Sequence, residues 1–275
     1  MLGRKGTKGM DRVTGLAVAA VGPLAAGYDT ALVLGTSGSV RSMMAFTRSE
    51  RPFAVDPAVI PSVVMNCAAG QCAIWNGLTG PNATIAGGRA AGLRGLSYAR
   101  RLLRAGRARA VLCGAAEEYS AERSWLAYYG AVAGGPGQYG AVAGGPGQYG
   151  AVAGGPGQYG MVAGGPGHYG TALGEGAAML RLEPSGAPGA LATVLAVEER
   201  VAGGSTTVRC AINRVGVAAG QVWAVIADSG AATGVFGMAA LALAAGESGP
   251  RIAVVCCADP AGAVAAAVPR LNGGG

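Results

Sequence analysis

The side chains of this 275-residue sequence that could do chemistry are six cysteines, a single histidine and the adjacent carboxylates Glu117 and Glu118. The cysteines are Cys67, Cys72, Cys113, Cys210, Cys256 and Cys257, and each sits among apolar neighbours. No pair has CxxC spacing, so no zinc or other metal site is expected, and buried reduced thiols of a cytoplasmic protein are. A nucleophilic thiol needs a thiolate held by a cation or a helix start, and a base to form it. Cys67 and Cys72 are the two candidates, yet the one histidine, His168, stands elsewhere, inside a Gly-rich repeat where it replaces a Gln. Glu117 and Glu118 close the apolar run "ARAVLCGAAEE" (108–118).

The cations are more concentrated than the thiols. Formal charge is +7, carried largely by the first 13 residues and by "RAAGLRGLSYARRLLRAGRAR" (89–109). A helix from Arg89 closed by Gly106 turns Leu93, Leu96, Ala99 and Leu103 inward and Arg94, Arg101 and Arg104 outward. Such a face suits an acidic protein partner, or it is simply solvated. Nucleic acid is disfavoured, because aromatic side chains do not interleave with the arginines and no binding module is recognisable. The basic start, "MLGRKGTKGMDRVTGLAVAAVGPLAAG", imitates a secretion signal, but Asp11 and Gly22-Pro23 interrupt its pattern. An amphipathic helix from Asp11 is expected instead. Gly breaks every apolar run long enough to approach a membrane span, including residues 229–246.

Residues 131–170 are one decapeptide, "AVAGGPGQYG", written four times with small changes. Pro-Gly pairs suit type II turns, and each unit offers little apolar area to offset ordering. A loop inserted into a globular chain is expected, and a material-forming role for the repeat is the alternative. The flanks alternate strand-like and helix-like segments. Strands are expected at 29–39, 80–88, 108–118, 174–184, 189–203, 221–230 and 251–260. Helices are expected at 11–26, 61–78, 89–105, 205–219 and 231–245, followed by a short final segment. This is an α/β pattern with a largely parallel or mixed sheet.

Five stretches, in order, resemble the β-ketoacyl synthase family: "LGRKGTKGMDRVTGLAVAA", "LVLGTSGS", "GLTGPNATIAGGRAAGLRGLSYARRLLRAGRARAVLCGAAEE", "GEGAAMLRLEPSGAPGALATVLAVE" and "SGAATGVFGMAALALAAG". The first is most similar to the chain-length-factor branch of type II polyketide systems. The resemblance implies a thiolase-like layered αβαβα fold, lacking the family's opening strand and compressed in its second half. It implies a partial ketosynthase-like half at 1–130, the repeat loop at 131–170 and the remainder of the fold at 171–275. Condensing members attack with a cysteine in a Thr-Ala-Cys context; here "TIAGGRAAG" puts Arg89 at that position. A guanidinium stays protonated and cannot be a nucleophile, and the stretches where the family histidines fall contain none. Arg89 could instead meet a carboxylate, a phosphopantetheine phosphate or a malonyl group.

The resemblance therefore implies a catalytically degenerate subunit of polyketide or fatty-acid assembly. Its implied partners are an active ketosynthase subunit and an acyl carrier protein, the latter docking on Arg94, Arg101 and Arg104. No cofactor of its own is implied, the phosphopantetheine arriving on the carrier. An active 3-oxoacyl-(acyl carrier protein) synthase with an atypical nucleophile is the alternative.

Overall fold

The computed structural model describes residues 7, 9–25, 27, 29–48, 57–124, 175–201, 204–218, 221–228, 238, 251–258 and 263–272. The repeat with His168, residues 2–6 and all of the expected helix at 231–245 except Met238 lie outside them.

The described strands form two four-stranded sheets. In the first, β1 (Thr30–Gly35) lies between β2 (Asn82–Ile85) and β3 (Ala110–Glu117), parallel to both, and β4 (Gly176–Leu182) runs antiparallel to β3. In the second, the order is β5 (Ala192–Val201), β8 (Ala263–Leu271), β7 (Arg251–Ala258) and β6 (Val222–Asp228), with only β6 and β7 parallel. Every residue of β1 and β3 is buried, because helices cover both faces of the first sheet.

Strand alternation sorts the side chains into layers. Leu32, Leu34, Leu112 and Ala116 face α1 (Arg12–Val21) and α3 (Cys67–Asn76), which bring Val13, Ala17, Val18, Ala68, Ala69 and Cys72. The alternate residues Ala31, Val33, Val111 and Cys113 face α4 (Ala91–Arg104). Beyond α4 lie Ala253, Val255 and Cys257 of β7 and Ala265 and Ala267 of β8. The outer side of that second sheet meets Ala211 and Ile212 of α5 (Gly204–Arg214). The stack is thus helix, sheet, helix, sheet, helix, with α4 as the middle layer and α2 (Val40–Thr47) lying after β1.

Local chemistry sets the helix limits. Asp11 caps α1, its carboxylate accepting from the Thr14 N–H at 2.8 Å. Ser39 caps α2 in the same way through Ser42. Gly106, at φ +63°, ends α4, and the Arg107 N–H returns to the Leu102 carbonyl at 2.9 Å.

Three expectations need correction. Leu102, not Leu103, is the buried leucine of the last turn, and Leu103 is half-buried against the same cluster. The expected helix at 61–78 is two pieces, a 3-10 segment at Pro57–Val63 and then α3, because a proline inside it, Pro61, cannot donate to a continuous α ladder. The final segment is a nine-residue strand, β8, between β5 and β7.

Candidate functional site

The position that the sequence aligns with an attacking cysteine lies between β2 and α4. The chain leaves β2 at Ile85, passes Gly87 and Gly88, and makes one 3-10 turn at Gly88–Ala90 before α4. Gly88 has φ +57°, a conformation that favours glycine. The turn is pressed between its neighbours. A Cβ on Gly35, at the end of β1, would fall 2.7 Å from the carbonyl carbon of Ala91. A Cβ on Gly87 would fall 2.6 Å from a guanidinium nitrogen of Arg94. Arg89 is half-buried at this turn, while Ala90 and Ala91 behind it are fully buried. Arg89 therefore stands at the head of α4, where a cation opposes the positive end of the helix dipole.

Three of the six thiols, Cys67, Cys72 and Cys113, are poorly suited to act as nucleophiles. Burial pushes the Cys72 and Cys113 thiols up to about 12, which keeps them protonated at neutral pH. Cys67 opens α3, a position that ordinarily favours a thiolate, yet burial and then the Asp11 carboxylate raise its pKa. Among the described residues no group of three His, Cys, Asp or Glu side chains could hold a metal ion.

The adjacent carboxylates are the centre of a buried polar network at the ends of β1 and β3. Ser37 donates to Glu117 Oε1 at 3.0 Å, and Arg123 Nη2 meets Glu117 Oε2 at 2.6 Å. Glu118 accepts from Ser39 at 3.2 Å and from the Arg41 N–H at 3.2 Å. A second Arg123 nitrogen donates to the Glu118 carbonyl at 2.8 Å. Burial raises the Glu117 pKa, and Arg123 only partly offsets that. The signal for this network was in the sequence, since "TSGS" and "AAEEYS" follow two adjacent strands, but nothing there revealed Arg123 as the counter-ion. Next to it, Arg12 Nε donates to Glu175 Oε1 and Oε2 at 3.1 and 3.0 Å. That pair lines a shallow open cavity of about 500 Å³ with Arg41 and Tyr119.

The three expected docking arginines are not equivalent. Arg101 and Arg104 are exposed near the end of α4, Arg101 lying 5.5 Å over the Tyr98 ring. Arg94 instead turns toward the second sheet, its Nε 3.3 Å from Glu199 Oε2 on β5. It ties the Gly87 turn to β5 and is engaged within the fold. Sequence spacing missed this because Glu199 lies on another layer.

Two mixed sheets with a helix between them, the first with a parallel core, fit a thiolase-like fold. Comparison with known proteins narrows the class. Residues 14–134 match the β-ketoacyl synthase N-terminal domain. The structure superposes on a chain titled "The ishigamide ketosynthase/chain length factor" with a TM-score of 0.77 and 32% identity, covering 99% of this chain and 84% of that one. A β-ketoacyl synthase from Burkholderia phymatum STM815 gives a TM-score of 0.69 at 17% identity, a likeness of fold. The 3-oxoacyl-[acyl-carrier-protein] synthase 2 of Vibrio harveyi is 38% identical over 69 residues, which are 25% of this chain and 17% of that enzyme. The chain belongs to the β-ketoacyl synthase family, on its ketosynthase/chain-length-factor side. No helix among the described residues is long and apolar enough to cross a membrane.

Proposed function

We propose that this protein is a non-condensing, chain-length-factor-like subunit of a polyketide or fatty-acid synthase, acting beside an active ketosynthase and an acyl carrier protein. The observation that carries the reading is Arg89 at the head of α4. Thioester formation needs a nucleophile there, and a permanently protonated guanidinium has no lone pair to offer. The raised thiols of Cys67, Cys72 and Cys113 support it, since none supplies a ready thiolate.

Pairing is supported by the first sheet's free side. β2 is its outer strand, with no described strand beyond it. Beside it α3 exposes Trp75 and Ile74, the latter 77% accessible, and Ile60 and Val64 are exposed just before α3. An unpaired edge flanked by exposed apolar side chains is a surface that association covers. Arg101 and Arg104 remain the candidates for meeting an acidic carrier.

Co-expression with a ketosynthase subunit, followed by size-exclusion chromatography, tests the reading. Co-elution as a stable pair is expected. A chain that elutes alone and itself condenses acyl groups would refute it.

A further inference from the structure

Four segments of the chain bring Arg12, Arg41, Tyr119 and Glu175 to one shallow cavity of about 500 Å³, which the function proposed above does not use. That volume is within the range of small-molecule sites. Each lining residue is held by bonds of its own. Arg12 is the first residue of α1, behind the Asp11 cap, and Arg41 is the second residue of α2, behind the Ser39 cap. The Arg41 N–H donates to Glu118 Oε1 at 3.2 Å, and Glu118, 1% exposed, is the residue before Tyr119. One buried carboxylate thus fixes the backbone beneath both Arg41 and Tyr119. Glu175 accepts from Arg12 Nε at 3.1 and 3.0 Å, from Arg12 Nη2, and from the Tyr119 N–H.

The charges of this cavity do not close. Arg12 and Glu175 offset each other: hydrogen bonds from Arg12 hold the Glu175 carboxyl below its usual range, and the Tyr119 N–H and the charge of Arg41 add to that. Arg41 makes no ion pair among the described residues. Its exposed guanidinium stands in the first turn of α2, where a cation opposes the helix dipole and no acidic residue of that turn compensates it. The buried carboxylates below are already engaged, Glu117 by Ser37 and Arg123, Glu118 by Ser39 and the Arg41 N–H. The lining therefore sets two guanidiniums against one carboxylate, an excess of one cation. A side chain that opposes its own helix and pairs with nothing in the fold is accounted for by a ligand.

We infer that this cavity binds a small monocarboxylate with an aromatic or apolar body, its carboxylate on the fork of Arg41 and its body on the Tyr119 ring. A planar guanidinium matches a carboxylate with two parallel hydrogen bonds. A phosphate dianion would bring more charge than the single excess cation offsets, and would meet repulsion from Glu175. Tyr119 is 49% exposed, so its ring face is open to stacking and its hydroxyl can donate to the same ligand. The site is independent of the pairing and carrier readings above.

The test titrates the full chain with benzoate, benzamide, acetate and inorganic phosphate at constant ionic strength, followed by ligand-observed NMR. Benzoate should bind saturably and roughly tenfold more tightly than benzamide, which has the same shape without the charge. Acetate, which lacks the ring, should bind several-fold more weakly than benzoate. Arg41→Gln should cost roughly tenfold or more in benzoate affinity. Its melting temperature without ligand should stay at or above the wild-type position, since the cation at the helix start is gone. Tyr119→Ala, which leaves every cation in place, should weaken benzoate several-fold and acetate hardly at all. Benzoate binding that is absent, no tighter than that of benzamide, or unchanged by Arg41→Gln overturns the site. So does phosphate binding more tightly than benzoate, or an Arg41→Gln chain that melts well below wild type, which would make Arg41 a structural residue.

Discussion

Glu117 and Arg89 are both ionisable groups in unfavourable places, but their physical consequences differ. Glu117 is held in a buried network where desolvation outweighs Arg123 and raises its pKa. A raised carboxylate binds its proton more tightly in the folded state. Its contribution to stability is therefore full below the unfolded value of about 4.3 and is lost as pH rises through the folded value. Glu117→Gln removes that titration, so its melting temperature relative to wild type should improve between pH 4.5 and pH 7. A difference that stays flat across that range would show that Glu117 is not destabilised by burial. At the same scale, thiol labelling of the native protein should modify Cys67 before Cys72 or Cys113, because Cys72 and Cys113 are buried with pKa values near 12. Rapid labelling of Cys113 would mean that α4 does not cover β3 as described.

At the scale of elements, the fold rests on the close seating of α4 between two sheets. Gly35→Ala puts a methyl 2.7 Å from the Ala91 backbone, where no flexible side chain can yield. Gly95→Ala meets only ordinary contact distances, 3.4 Å from a Val33 methyl and 3.7 Å from the Cys113 sulfur. Equilibrium unfolding should show Gly35→Ala destabilised by about 1–3 kcal/mol and Gly95→Ala by less than that. Equal effects would contradict the packing. Much of this layering was legible in the sequence. Buried runs such as "TALVLG" and "AVLCGAAE" read as strands without structural help, and the leucine spacing after Arg89 marked one inward helix face. β8 was not legible, because "AVAAAVPRL" is alanine-rich, shows no alternation and contains a proline, Pro269. It is a strand because β5 and β7 enclose it, a tertiary cause that local propensity cannot register. The same limit hid the Arg94–Glu199 pair, whose partners lie 105 residues apart; Arg123 instead follows Glu117 closely, just beyond the end of β3, but sequence alone did not turn its side chain back onto that carboxylate.

For the molecule as a whole, the proposed function is that of a ketosynthase scaffold in which association replaces catalysis. The exposed apolar surface beside β2 should be the pairing surface. Ile74→Glu with Trp75→Glu should leave the melting temperature of the chain nearly unchanged yet abolish co-elution with the ketosynthase subunit, because both side chains point away from the α1 contact. Retained pairing would move the interface elsewhere. The resemblance recognised in the sequence reached the family correctly, since it depended on several motifs in order rather than on one. The assignment of Arg89 to the nucleophile position depends on that alignment and on the turn at Gly88–Ala90, which places Arg89 at the head of α4. The most direct test is intact-mass analysis of the purified pair after incubation with an acyl thioester donor. The account predicts an acyl adduct on the ketosynthase subunit and unmodified mass for this chain; a hydroxylamine-labile acyl adduct on this chain would contradict it.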